Sequence, residues 1–227
     1  MGDPLIEGMV IENHGAVFDV LVDGQTVRCL LRGRLKKDKR REVAPVAAGD
    51  RVKIAMLARG QGVIEEVLPR QSGLSRTAAG SVPLQQTLVA TVDQAVIVFA
   101  AAEPRPDLFM LDRFLVTASA AGLERLICVN KCDLVDGEPL RARFAVYRQC
   151  GYRVLFTSAV VGEGIAELRD ALRERRSAIC GPSGVGKSSL LNVVAPGLSL
   201  RVGDMGDVTH KGRHTTSSIS LLELPFG

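Results

Sequence analysis

Residues 181–189 read Gly-Pro-Ser-Gly-Val-Gly-Lys-Ser-Ser, which fits GxxxxGK[ST] from Gly181 to Ser188. No other stretch constrains the fold as tightly, because such a loop works only where a short buried strand feeds it and a helix leaves it. Both neighbours are present: Ala178 to Cys180 is a short apolar run, and Leu190 to Val194 has the composition of a buried helix. The residue types follow from the chemistry of phosphate. Gly181, Gly184 and Gly186, with Pro182, Ser183 and Val185 between them, let the backbone curl until its N–H groups point inward. The positive end of the next helix adds to that field, at Ser188 and Ser189. Lys187 can reach the β and γ phosphates, and the Ser188 hydroxyl can ligate Mg²⁺. The loop alone does not tell ATP from GTP.

The surrounding pattern predicts an α/β domain. Ala95 to Ala102 is a continuous apolar run, as expected of a strand buried on both faces. Leu108 to Ala121 has helical spacing and stops at Gly122. Arg125 to Val129 and Arg153 to Phe156 read as strands, Pro139 to Cys150 and Gly164 to Arg175 as helices, and Ser217 to Leu224 as a last strand. Alternation of this kind means a parallel sheet with crossover helices, and ligands at the carboxyl ends of its strands.

Two further motifs stand at such strand ends. Asn130-Lys131-Cys132-Asp133 follows Arg125 to Val129 and matches NKxD. The Asp133 carboxylate can accept two hydrogen bonds from guanine N1–H and its exocyclic amine, a donor pair adenine lacks. Asn130 can brace the base edge and tie this turn to the phosphate loop, and the aliphatic stem of Lys131 can lie over the purine face. Thr157-Ser158-Ala159 follows Arg153 to Phe156 and resembles the short SA motif, whose backbone N–H meets guanine O6. The base-reading residues therefore precede the phosphate loop, the reverse of the usual GTPase order and a circular permutation of it.

Residues 5–70 read differently. Short apolar runs recur between turn signals (Gly8 to Ile11, Ala16 to Val22, Val27 to Leu31, Arg51 to Leu57, Gly62 to Leu68), and Asp23-Gly24 is a hairpin signal. These predict a small all-β barrel of OB or SH3-like type, between which composition does not choose. The boundaries are 1–74 for the barrel and 75–227 for the P-loop domain, with the small polar stretch 76–90 as a linker. Arg32 to Arg41 (RGRLKKDKRR) is mostly basic and suits phosphate contacts on a nucleic acid as well as a solvated loop. The formal net charge of +4 permits an anionic partner without specifying one. Aromatic residues make up only 4% with no Trp, which argues against extended base-stacking platforms.

Five cysteines, none in CxxC spacing, read mostly as small buried thiols of a reduced, cytoplasmic protein. No run approaches the roughly 20 apolar residues that span a bilayer.

The series of β-barrel, NKCD, TSA, GPSGVGKSS and then Lys211-Gly212-Arg213-His214-Thr215-Thr216 resembles the circularly permuted ribosome small-subunit-dependent GTPase family, ribosome biogenesis GTPase A. The resemblance covers nearly the whole chain. It implies an OB-fold barrel, GTP and GDP as ligands with Mg²⁺, and GTP hydrolysis stimulated by the small ribosomal subunit late in its maturation. It also implies ribosomal RNA as the partner of the basic segment, and a monomer. The KGRHTT segment would be the first switch, with Thr215 or, by slight preference, Thr216 on Mg²⁺, and His214 placing the attacking water. The family's DxxG motif occurs nowhere in these 227 residues, and its C-terminal zinc-binding helical domain does not follow. The expectation is a truncated chain. A second reading is therefore a catalytically impaired nucleotide- and RNA-binding fragment. A P-loop ATPase or kinase is a third, disfavoured by Asp133.

Overall fold

The computed structural model describes residues 4–33, 35, 45–57, 60–77, 85–200 and 220–226. They form two compact units: one runs to Val92 and takes in 220–223, the other runs from Asp93 to 200 and takes in 224–226.

The first unit is built on a closed barrel of β1 (Ile6–Asn13), β2 (Val17–Val22), β3 (Gln25–Leu31), β4 (Arg51–Met56) and β5 (Gln61–Val67). Around the barrel the strands run β1-β2-β3-β5-β4, with β3 parallel to β5 and the other pairs antiparallel. This is the OB arrangement, and it resolves the barrel type that composition left open. The hairpin joining β2 to β3 turns at Asp23 (φ 46°) and Gly24 (φ 78°), the positive-φ pair that matches the right-handed strand twist. From Thr26 onward strand β3 alternates, with Val27, Cys29 and Leu31 inward, where they meet Val10, Phe18, Val20, Val52, Ile54 and Ile64.

The stretch expected as a linker is in part a hairpin. β6 (Gly73–Thr77) pairs antiparallel with β7 (Gln85–Ala90); residues 78–84 lie outside those described. Its small polar residues suggested a loop, but Thr87 and Ala90 are buried, and the Ala90 N–H bonds the Ala48 carbonyl at 2.8 Å. Beside it, fully buried Asp50 is gripped by Arg70 through bonds of 2.7 and 2.8 Å, and Arg70 also reaches the Thr87 hydroxyl at 3.0 Å. The expected strand from Ser217 to Leu224 is reduced, among the described residues, to a single antiparallel bridge of Ser220 with Glu12 and a 2.7 Å bond from the Leu221 N–H to the Ile11 carbonyl.

The second unit holds a parallel sheet of β8 (Gln94–Ala100), β9 (Glu124–Asn130), β10 (Arg153–Phe156) and β11 (Ser177–Cys180), in the order β10-β9-β8-β11. Every residue of β8 is buried, as its unbroken apolar run predicts. The helices are α1 (Leu108–Ala120), α2 (Gly137–Arg143), α3 (Ala145–Gln149), α4 (Ile165–Leu172) and α5 (Lys187–Val194). Asp107 caps α1 by accepting from the Met110 N–H at 3.0 Å. The single helix expected from Pro139 to Cys150 is two. Phe144, at φ −98° and ψ 3°, interrupts it, and its fully buried ring stands edge-on to Phe156.

Candidate functional site

The sheet order brings the sequence motifs together. Asn130 ends β9, Gly181 follows β11, and β8 lies between these strands; Thr157 follows β10 on the other side of β9. In a parallel sheet all three therefore emerge at the same edge.

The glycine-rich loop takes shape from positions that only glycine fills easily. Gly181 sits at φ 142°, where a Cβ would stand 2.0 Å from the Val98 carbonyl oxygen. Gly186 sits at φ 92°, where a Cβ would stand 2.4 Å from the Asn130 side-chain nitrogen. Between them Val185 is fully buried and pins the loop, while Ser183 and Gly184 are exposed. Lys187, Ser188 and Ser189 open α5. The Lys187 ammonium donates to the Gly181 and Pro182 carbonyls at 2.9 and 2.7 Å, folding back over its own loop. Burial pushes the Lys187 pKa below its ordinary value, an effect that nearby Cys180 opposes. A half-buried cation whose partners among the described residues are two carbonyls is a group that an incoming polyanion would satisfy better.

The NKCD turn is wired to this loop. Asn130, almost wholly buried, donates from Nδ2 to the Val185 carbonyl at 2.9 Å and accepts from the Thr157 hydroxyl at 3.4 Å. Lys131 adopts a left-handed conformation (φ 63°), and its ammonium donates to the Glu103 carbonyl. The Cys132 N–H bonds the Thr157 carbonyl at 3.1 Å. Asp133 is exposed, and its Oδ1 accepts from the Ser158 hydroxyl at 2.5 Å. Ser158 is itself held, since its oxygen accepts from the Val160 and Val161 N–H groups at 3.2 Å each. A buried hydroxyl thus orients one oxygen of an exposed carboxylate. Ala159, next to Ser158, is half-buried.

His214, Thr215 and Thr216 lie outside the described residues, as do Lys211 to Arg213 and all of the basic segment except Arg32, Gly33 and Leu35. On the barrel itself the described cations are engaged: Arg28 with Asp19, Arg32 with Glu65, Arg51 with Glu7 and Lys53 with Glu66, at 2.7 to 3.4 Å.

Sequence reasoning missed Glu103, whose carbonyl holds Lys131, and Asn192 on α5, which bonds the Leu200 backbone twice. The signal for Asn192 was present as one amide in the apolar run Leu190 to Ala195.

Comparison with known proteins agrees with this architecture. The RsgA N-terminal domain family matches residues 7–64 and the RsgA GTPase family matches residues 67–227. The chain belongs to the RsgA GTPase family. A relative from Gemmatimonas aurantiaca, named small ribosomal subunit biogenesis GTPase RsgA, is 44% identical over 223 residues, covering 97% of this chain and 72% of its own length. One of the same name from Moorella thermoacetica is 42% identical, with 98% and 71% covered. Among solved structures, YjeQ from Thermotoga maritima is similar with a TM-score of 0.69 at 34% identity, over 87% of this chain and 68% of that one. YloQ, described as a circularly permuted GTPase, is similar with a TM-score of 0.62 at 30% identity, over 86% of this chain and 66% of that one. Family and topology together account for the inverted motif order, since the sheet keeps its neighbours while the chain enters it at a different strand.

Proposed function

We propose that this protein binds guanine nucleotides at the shared strand edge, hydrolyses GTP to GDP and phosphate, and acts in the biogenesis of the small ribosomal subunit. The observation that carries the reading is the buried bond from Asn130 to the Val185 carbonyl, which joins a carboxylate-bearing turn to a glycine-rich loop at one edge of the sheet. Relatives with this architecture are named for that activity and that subunit.

The residues divide the work by chemistry. Asp133, oriented by Ser158, accepts from the guanine edge; Ala159 offers its backbone N–H to O6; the Lys131 stem covers the ring. The N–H groups from Ser183 to Ser189 and the N-terminus of α5 receive the phosphates. Lys187 leaves the Gly181 and Pro182 carbonyls to neutralise charge building on the β–γ bridge as the bond to the terminal phosphoryl breaks. The donor set fits Mg²⁺, with the Ser188 hydroxyl at the mouth of the loop and a threonine of the following segment, Thr216 or Thr215, as its companion. Mg²⁺ held there would supply positive charge against the phosphates. His214 places the attacking water. The basic segment Arg32 to Arg41 takes ribosomal RNA through its lysines and arginines. We place the protein in the cytoplasm as a monomer.

The test is binding of fluorescent GDP and GTP by the 227-residue chain with ATP as competitor, followed by phosphate release with and without small ribosomal subunits. Guanine-selective binding and subunit-stimulated release support the reading. ATP competing on equal terms would overturn it, and selective binding without turnover would favour the catalytically impaired nucleotide- and RNA-binding fragment.

A further inference from the structure

One edge of the parallel sheet carries a charge excess that the nucleotide site does not use. From Pro139 to Arg153 the chain has four arginines (Arg141, Arg143, Arg148 and Arg153), no lysine and no acidic residue; Asp136 and Glu138 stand just ahead of it. All four arginines are exposed. They lie on α2, on α3 and at the first residue of β10, the edge strand of the order β10-β9-β8-β11.

Two of the four are held by one ring. The Arg141 and Arg148 guanidiniums stand 4.9 and 5.2 Å from the centre of buried Phe156, the last residue of β10. Arg148 also donates to the Val154 carbonyl at 3.2 Å, next in the chain to Arg153. Cations therefore accompany β10 from its first residue to its last, over about 10 Å at the rise of a strand. Two guanidiniums aimed at one ring repel each other, and an anion drawn up to both would relieve that repulsion.

Their charge is poorly neutralised within the protein. Arg141 has Glu163 at 3.7 Å, with both side chains about half exposed, and such a pair contributes little. Arg148 meets a neutral carbonyl, and Arg143 and Arg153 have no hydrogen-bond or ion-pair partner among the described residues. The arginines that follow α4 are different: Arg173 faces Asp170, Arg175 faces Glu124 and Arg176 faces Asp93. The C-terminal turns of α2 and α3 favour cations in their own right, which suits Arg141, Arg143 and Arg148 but leaves Arg153 unexplained.

Residue type points to the partner. A guanidinium fork takes two phosphate oxygens at once, which an ammonium does not. A protein partner would call for an apolar centre. Here the Phe156 ring is buried under its own arginines, and Val146 is the large apolar side chain that the stretch exposes. We propose that the α2–α3–β10 edge is an RNA-contacting surface, on which Arg141, Arg143, Arg148 and Arg153 bind the sugar-phosphate backbone of small-subunit RNA, in addition to the contact proposed for Arg32 to Arg41. The inference rests on the proposed role at the small ribosomal subunit. Phosphate contacts carry no sequence information, so this surface orients the GTPase domain on the RNA and selects no sequence.

The experiment compares the 227-residue chain with Arg143→Ala/Arg153→Ala, which removes the two arginines that have no internal partner. Arg173→Ala/Arg175→Ala removes the same charge from paired arginines and serves as the control. Binding to small ribosomal subunits and to protein-free small-subunit RNA is titrated over a salt series, beside GDP affinity and melting temperature. For Arg143→Ala/Arg153→Ala the expected result is about tenfold weaker binding to both, with the slope of log affinity against log salt reduced by about 1.5, while the control stays within about twofold of wild type. GDP affinity and melting temperature stay unchanged in Arg143→Ala/Arg153→Ala. Equal losses in the control would overturn the proposal in favour of net charge alone. A loss confined to subunits, with protein-free RNA bound normally, would overturn it in favour of a protein contact, and wild-type affinity throughout would overturn it outright. RNA binding that depends on the two arginines, in a chain that ignores intact subunits, would uphold the surface as an RNA contact and overturn the ribosomal reading instead.

Discussion

The Asn130 side-chain nitrogen lies 2.9 Å from the Val185 carbonyl oxygen, and both residues are almost wholly buried. Removing the amide leaves a buried acceptor without its donor. Asn130→Ala is expected to cost about 1–3 kcal/mol of stability and to weaken nucleotide binding, measured by urea unfolding with and without GDP. Gly186→Ala should abolish binding with little change in secondary structure, since its new Cβ would meet the same nitrogen at 2.4 Å from a backbone at φ 92°.

Asp133 offers the test of base selectivity. Asp133→Asn replaces an acceptor with a donor and is expected to weaken GDP binding at least about hundredfold. Xanthine, which carries a carbonyl where guanine has its amine, should gain what guanine loses. Competition titration with both diphosphates checks this. If the two lose affinity equally, the carboxylate does not read that edge. Ser158→Ala should produce a smaller loss in the same direction, because it frees the carboxylate without removing it.

Lys187 predicts a pH effect. Burial depresses its folded pKa, so between the folded and unfolded values the unfolded chain holds the extra proton. The group therefore detracts from stability below its folded pKa, and the deficit is relieved as pH rises toward the unfolded value. Phosphates favour the charged form, so nucleotide binding in alkaline buffer should take up protons. Calorimetry in buffers of different ionisation enthalpy measures the uptake, and Lys187→Arg, which stays charged, should eliminate it.

Asp50 and Arg70 predict a purely structural effect. Asp50→Ala removes the carboxylate facing a largely buried guanidinium and is expected to cost about 3 kcal/mol, seen in the barrel's melting and not in GDP affinity. Asp50→Asn should recover part of the loss.

The thiols give a fifth test. Burial pushes Cys29 and Cys132 up to about 11 and Cys128 and Cys180 up to about 12, whereas Cys150 is exposed. Alkylation at neutral pH should label Cys150 first, and denaturant should release the other four, as mass spectrometry will show.

These elements were unequally legible. The barrel strands and β8 could be read because burial on one or both faces writes itself into alternation or an unbroken apolar run. The Asp23-Gly24 turn was visible for the same local reason. The β6–β7 hairpin was not, because its strands hold place through Arg70, Thr87 and the Ala48 carbonyl, contacts that no local pattern records. The break at Phe144 was hidden too, since an aromatic at that spacing suits a helix until Phe156 claims its ring. In the site, motif spacing supplied Asn130, Asp133, Ser158 and the loop. The carbonyl that holds Lys131 and the backbone that Asn192 grips carry no side-chain signature at all.

The chain order β8, β9, β10, β11 also fixes a sequence in time. A ribosome making this chain completes β8, β9 and β10, with the Asn130–Asp133 turn, before it adds the strand and loop that would grasp phosphate. The half proposed to contact the base is thus synthesised first, and β11 is then laid against β8. An unpermuted relative would gain its anion grip at the outset. Under the proposed reading that grip would come late, because a nascent chain would lack it until β11 and the loop after Cys180 had been translated.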